Sequence, residues 1–192
     1  MDRDFWKTRW QQNEIGFHME ERHDYLPQFY HRLHVGPGVV FVPLCGKSPD
    51  LIWLRQQGAR VLGVELSEIA VADFFSENGL DVAVDTRGSF RRYHADSMTL
   101  LCGDLFDLQP GCMDGVRGVY DRGSLVALPP SMRRTYAQHL CRILPVDCRI
   151  LLVSYEYDQS LIDGPPFSVP MNEIEQLFDS DFSVELLAEQ DA

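Results

Sequence analysis

Twenty-nine acidic residues face seventeen basic ones in a chain of 192 residues, a formal charge of −12, and hydrophobic residues make up 45%. These proportions exclude a disordered, collagenous or low-complexity chain, and a chain of this length buries roughly 70% of its unfolded surface around one core. The acidic surplus leaves no basic footprint for nucleic acid or an anionic membrane surface, so a small molecule is the expected partner.

The chain opens with helical material: Phe5, Trp6 and Trp10 share a stripe behind Asp2 and Asp4, acids suited to a helix N-terminus. A second helical stretch is expected over Pro27 to Leu33. Gly36-Pro37-Gly38 then punctuates the chain before a buried strand, Val39 to Val42. Ser48-Pro49-Asp50 starts a helix that Gly58 closes in the left-handed conformation. Arg60 to Glu65 reads as the second strand, and Ser67 caps a helix that stops at Asn78-Gly79. Asp81 to Asp96 has no strong period and is expected to be an insertion or short hairpin. The third strand is Met98 to Cys102 and the fourth is Gly118 to Asp121. A helix follows from Pro129-Pro130-Ser131 to Leu144, where Pro145 blocks continuation. A fifth strand over Arg149 to Tyr155, a helix over Asn172 to Phe178 and a sixth strand over Phe182 to Leu187 follow in turn.

Strands alternating with helices of this length need crossover connections, which put helices on both faces of a mainly parallel sheet. The expectation is an α/β, doubly wound, Rossmann-like domain spanning 1–192, with residues 1–35 as a helical N-terminal cover and 36–192 as the core.

Cys45, Cys102, Cys112, Cys141 and Cys148 are odd in number and lack CxxC spacing, which speaks against a zinc ribbon or disulfide scaffold and for a reducing cytoplasm. His31 and His34 sit among aromatic and apolar residues and suit a helix surface, so no metal site is expected. Met1-Asp2-Arg3-Asp4 lacks a signal-peptide layout. No apolar run approaches the ~18 residues of a membrane span.

In a doubly wound sheet, ligands bind outside the carboxyl ends of the strands. After the first strand, Pro43-Leu44-Cys45-Gly46-Lys47-Ser48 carries a single glycine, Gly46, at which the backbone can pass close to a ligand. A phosphate loop would need a second glycine where Phe41 stands, and the dinucleotide fingerprint is absent. Glu65 ends the second strand nineteen residues beyond Gly46, the spacing at which a carboxylate grips ribose hydroxyls. After the third strand, Asp104 can accept from an adenine amino group while Leu105 packs on the ring. Arg122, after the fourth, is a permanent cation able to hold an anionic acceptor. A ribose acid and an adenine contact without a pyrophosphate loop describe S-adenosyl-L-methionine better than a nicotinamide dinucleotide or ATP.

Taken in order, the runs Phe5-Trp6-Lys7-Thr8-Arg9-Trp10, Ile15-Gly16-Phe17-His18, Pro43 to Ser48, Gly63-Val64-Glu65-Leu66-Ser67-Glu68, Asp121 to Leu128 and Gly164-Pro165-Pro166-Phe167-Ser168-Val169-Pro170 span nearly the whole chain. Together they resemble the bacterial form of the thiopurine S-methyltransferase family. The resemblance implies a class I, Rossmann-like methyltransferase that uses S-adenosyl-L-methionine and yields S-adenosyl-L-homocysteine. It places Trp10, Leu44, Glu65 and Arg122 at positions that contact the cofactor, and gives the Trp10 indole a role facing the sulfonium cation. It also implies a monomer.

Family members continue past a segment like Leu187 to Asp191 into a loop with a substrate-side arginine and a final antiparallel strand. This sequence stops before it, so the expected sheet lacks that strand.

The implied reaction is displacement at the methyl carbon by the sulfur of a thiopurine or aromatic thiol, with selenium and tellurium species as further acceptors in metalloid detoxification. Ionised sulfur is a good nucleophile, so alignment rather than a strong base supplies the acceleration. Arg122 is expected to orient the acceptor, with Phe17, Pro166 and Phe167 as candidate apolar walls. Two other readings on the same fold are a nicotinamide-dependent oxidoreductase and a non-catalytic nucleoside-binding protein.

Overall fold

In the computed structural model, which describes residues 3–190, the first strand β1 (Val39–Val42) is buried along its whole length. Its side chains alternate: Val39 and Phe41 enter one apolar cluster, Val40 and Val42 the other. A four-residue strand of this kind fixes the sheet as a central layer with both faces covered.

Around β1 the sheet runs β3-β4-β5-β2-β1-β6-β7, with β2 (Arg60–Glu65), β3 (Ala83–Arg87), β4 (Phe90–Ala95), β5 (Met98–Cys102), β6 (Val116–Arg122) and β7 (Arg149–Val153). The five strands β5, β2, β1, β6 and β7 are parallel; β3 and β4 form an antiparallel hairpin that pairs through β4 onto β5. The irregular stretch from Asp81 to Asp96 is therefore a hairpin that widens the sheet by two strands.

One face carries α3 (Asp50–Gln56) and α4 (Glu68–Glu77), through Leu51, Leu54, Val71, Phe74 and Phe75. The opposite face carries α5 (Pro130–Ile143) and α6 (Met171–Phe178), through Tyr136, Leu140, Ile174 and Phe178. Ser67 caps α4 as expected, its hydroxyl accepting from the Ala70 amide at 3.3 Å. The cover consists of α1 (Arg3–Gln11), α2 (Tyr25–Phe29) and a 3₁₀ turn over Tyr30–Leu33. Asp2 and Asp191 lie outside the described residues.

One expected strand is corrected. Phe182 to Leu187 forms no strand and joins no ladder. A strand exists through its hydrogen-bonded partner, and none pairs with this segment: the Phe182 N–H turns back to the Phe178 carbonyl at 2.8 Å, Phe182 and Val184 pack on one core cluster and Leu187 on the other, and Glu185 pairs with Arg32 at 2.5 Å. Among the described residues no antiparallel strand lies beside β7.

Candidate active site

The loop after β1 turns through two left-handed residues, Leu44 at φ 41° and Gly46 at φ 52°. A branched side chain in that region is uncommon, and such backbone collects at functional sites. The turn aims the Gly46 N–H at the tip of β2, where it donates to Glu65 Oε2 at 2.9 Å; the Ser67 N–H donates to Oε1 at 2.8 Å. Glu65 is only 6% exposed. Burial pushes its carboxyl above the ordinary glutamate range, against the opposing pull of the Ser67, Gly46 and Leu66 amides. Each carboxylate oxygen keeps acceptor capacity after its backbone bond, so the group is oriented in advance for two hydroxyls.

The cover closes over this turn. Trp10, on α1, is buried, and a Cβ added at Gly46 would stand 3.3 Å from its Cζ2. The indole thus rests on the one glycine of the loop. Phe17 meets Trp10 edge-on at 5.6 Å and Trp6 at 5.1 Å.

At the neighbouring tip, β5 is tied to β2 by the Gly103 N–H donating to the Glu65 carbonyl at 2.9 Å. Asp104 is engaged on both oxygens: Oδ1 accepts from the Phe106 amide at 2.8 Å and Oδ2 pairs with Arg3 of the cover. Leu105 is buried, and its carbonyl is bonded to His139 Nε2 at 2.9 Å. A cavity of about 520 Å³ opens here, with Arg3, Lys7, Leu66, Cys102, Gly103 and Asp104 in its wall. That volume is within the range of small-molecule sites.

Arg122 departs from the picture of a free cation. Its Nε and Nη2 both donate to Asp50 Oδ2, at 3.2 and 3.1 Å, and Nη2 also reaches Ser48 Oγ at 3.4 Å. Asp50 is fully buried. An arginine holding such a carboxylate is part of the packing.

Pro166 and Phe167 follow two cis peptides, Gly164–Pro165 and Pro165–Pro166. The Phe167 N–H donates to the Val126 carbonyl at 2.6 Å, joining this segment to the turn after β6. Its ring lies 5.8 Å from the Arg133 guanidinium carbon. Phe17 packs with Trp6 and Trp10 of the cover, and Phe167 lies beside Arg133.

Trp10, Gly46 and Glu65 therefore converge, Asp104 and Leu105 adjoin them at the next strand tip, and Arg122 stands at the tip of β6. Sequence reading missed Asp50, taken only as a helix start, and His139, whose bond to Leu105 spans 34 residues of chain. The residues also suit the cofactor: the fixed Glu65 carboxylate offers acceptors to a nucleoside, Gly46 has no Cβ to crowd it, and the Trp10 indole lies at that glycine. Among the described residues no group of three or more His, Cys, Asp or Glu could hold a metal ion, and no helix is long and apolar enough to cross a membrane.

Comparison with known proteins identifies the family. The family model for thiopurine S-methyltransferase matches residues 1–192. The chain is 50% identical to a thiopurine S-methyltransferase of Pseudomonas paraeruginosa over 192 residues, covering all of this chain and 88% of the relative. It is 49% identical to one from Nitrosospira multiformis, with 100% and 87% covered. Among solved structures it resembles a SAM-dependent methyltransferase from Anabaena variabilis (TM-score 0.68, 15% identity, 92% of this chain and 80% of that one). It also resembles magnesium protoporphyrin IX methyltransferase from Synechocystis with bound SAH (TM-score 0.59, 16% identity, 93% and 86%). These last two likenesses bear on the fold and agree with a class I, Rossmann-like sheet. The chain belongs to the thiopurine S-methyltransferase family and is an S-adenosylmethionine-dependent methyltransferase.

Proposed function

We propose that this chain works as one methyltransferase domain, with residues 1–35 covering a core of 36–192, and methylates the sulfur of a thiopurine or aromatic thiol. When bound, S-adenosylmethionine supplies an electrophilic methyl group on a sulfonium cation. Glu65 holds the ribose hydroxyls, its carboxylate kept in place by the Gly46 and Ser67 amides. Trp10 and Leu44 flank the turn at Gly46, and Asp104 and Leu105 receive the adenine. The indole excludes water above Gly46 and offers its face to positive charge.

Arg122 orients the acceptor. No protein nucleophile is needed, because an ionised thiol attacks directly and the chain contributes alignment. Phe17, Pro166 and Phe167 supply apolar surface for a flat heterocycle. The working unit is a monomer in the cytoplasm, a reading supported by the family resemblance and by five cysteines that are all free thiols.

The observation that carries the proposal is the buried Glu65 carboxylate at the tip of β2, fixed by the amide of Gly46, the glycine against which Trp10 lies. The test is release of S-adenosylhomocysteine from S-adenosylmethionine with and without a thiopurine, an aromatic thiol or selenite. Release that depends on the sulfur acceptors supports the reading. Release with selenite alone, or none with any acceptor, overturns it.

A further inference from the structure

Asp50 is a carboxylate with no exposure at the first residue of α3, and it gathers donors from two separate parts of the chain. Its Oδ1 accepts the backbone N–H of His23, in the N-terminal cover, at 3.0 Å. Its Oδ2 accepts the Tyr120 hydroxyl at 3.1 Å and two nitrogens of Arg122. The Asp50 N–H donates to Ser48 Oγ, the same oxygen that Arg122 Nη2 reaches. Tyr120 and Arg122 are alternate residues of β6, so the carboxylate meets both from one side of the strand.

The consequence for Arg122 is geometric. A guanidinium has five N–H donors in a rigid fork. Here the edge formed by Nε and Nη2 is turned onto Asp50, and among the described residues Nη1 makes no hydrogen bond. Fixing one edge of a planar group fixes the other. The pairing also cancels a unit of positive charge, so Arg122 recognises a ligand by direction rather than as a free cation. The group is held at once by α3, β6 and the cover.

We infer that Asp50 is the positioning residue for Arg122, locking the guanidinium by its Nε–Nη2 edge so that Nη1 is presented to the methyl acceptor. This rests on the proposal that Arg122 touches the acceptor.

The test is a double-mutant cycle on the full chain with Asp50→Asn, Arg122→Gln and the pair, following kcat and KM for a thiopurine acceptor. Asp50→Asn is expected to lower kcat/KM by at least roughly tenfold, with a raised acceptor KM, and to add nothing in the Arg122→Gln background. Losses that multiply in the double variant, or a reduced kcat with parental acceptor KM, would overturn the inference. If Asp50→Asn does not fold, Tyr120→Phe takes its place in the same cycle. It removes one donor to Oδ2 and keeps both charges, and roughly a threefold rise in acceptor KM, absent in the Arg122→Gln background, is expected. A parental KM in Tyr120→Phe then overturns the inference. Arg122→Gln with parental kinetics would instead remove Arg122 from the acceptor site, so the two failures are told apart.

Discussion

The backbone N–H of Gly46 donates to Glu65 Oε2 at 2.9 Å across nineteen residues of chain, joining the loop after β1 to the tip of β2. That bond converts a spacing in the sequence into a rigid object. The glycine amide aims the carboxylate, and the carboxylate in turn holds the turn on which Trp10 rests. Glu65→Ala is expected to weaken S-adenosylhomocysteine binding by more than about tenfold, since the two hydrogen bonds to ribose that we propose would be lost. Calorimetric titration showing parental affinity would take Glu65 out of the site.

The same residue sets an acid limit on binding. Burial raises the Glu65 carboxyl above its ordinary value of 4.5. In the proposed reading the ionised form accepts from ribose, so affinity should be full well above the raised value and fall as the pH drops through it. The decline should therefore begin at a higher pH than an ordinary glutamate would give. The raised carboxyl has the opposite sign for folding: its protonated form is favoured in the native state, so this group adds stability at low pH and loses it as pH rises through the raised value. Titrations at a series of pH values, paired with thermal melts, separate the two effects.

Replacing Arg122 by alanine should do two things together. Methyl transfer should fall because the acceptor loses the guide that we propose for it. Stability falls as well, because Asp50 is left as a buried charge without its partner, a loss of ~3–5 kcal/mol in comparable cases. Measuring melting temperature beside turnover checks both, and a melt equal to the parent's would contradict a structural role for the ion pair.

His139 offers a quieter test. Its Nε2 is bonded to the Leu105 carbonyl and its Nδ1 meets Arg142 Nη2 at 2.7 Å, an arrangement that requires a neutral ring with the proton on Nε2. Burial lowers its pKa from 6.5. The unfolded chain then takes up the proton first, so stability present at neutral pH is lost as pH falls below about 6.5. His139→Ala should lose about 1–3 kcal/mol for the orphaned carbonyl, show less acid sensitivity, and bind S-adenosylhomocysteine a few-fold more weakly through Leu105. Melts at pH 5 and pH 8, with a binding titration, decide it.

Phe167→Ala should raise the KM for a flat aromatic thiol several-fold while leaving S-adenosylhomocysteine affinity unchanged, since the ring lies against Arg133 and is proposed to face the acceptor. Equal KM values for parent and variant would move the acceptor wall elsewhere.

Much of this was legible in the chain. Val39 to Val42, Arg60 to Glu65 and Met98 to Cys102 are short apolar runs between turn residues, and each forms a strand over those same residues. Glu65 could be picked out because its partner, Gly46, sits at a fixed distance in the crossover. Phe182 to Leu187 has the same apolar character, but pairing depends on a neighbour that periodicity does not reveal. The Asp50–Arg122 bond spans 72 residues and unites a helix start with a strand end, so nothing local announces it. The left-handed Leu44 was equally silent, because leucine carries no mark of that backbone.

At the far rim of the sheet, every residue of β3 is exposed, and its outer edge pairs with no other described strand. Asp85 binds Arg92 across the hairpin, and Arg87 stands two residues further along. A second molecule approaching edge-on would have to strip water from these charges before its backbone could pair. The hairpin that widens the sheet thus guards it against stacking with its own kind.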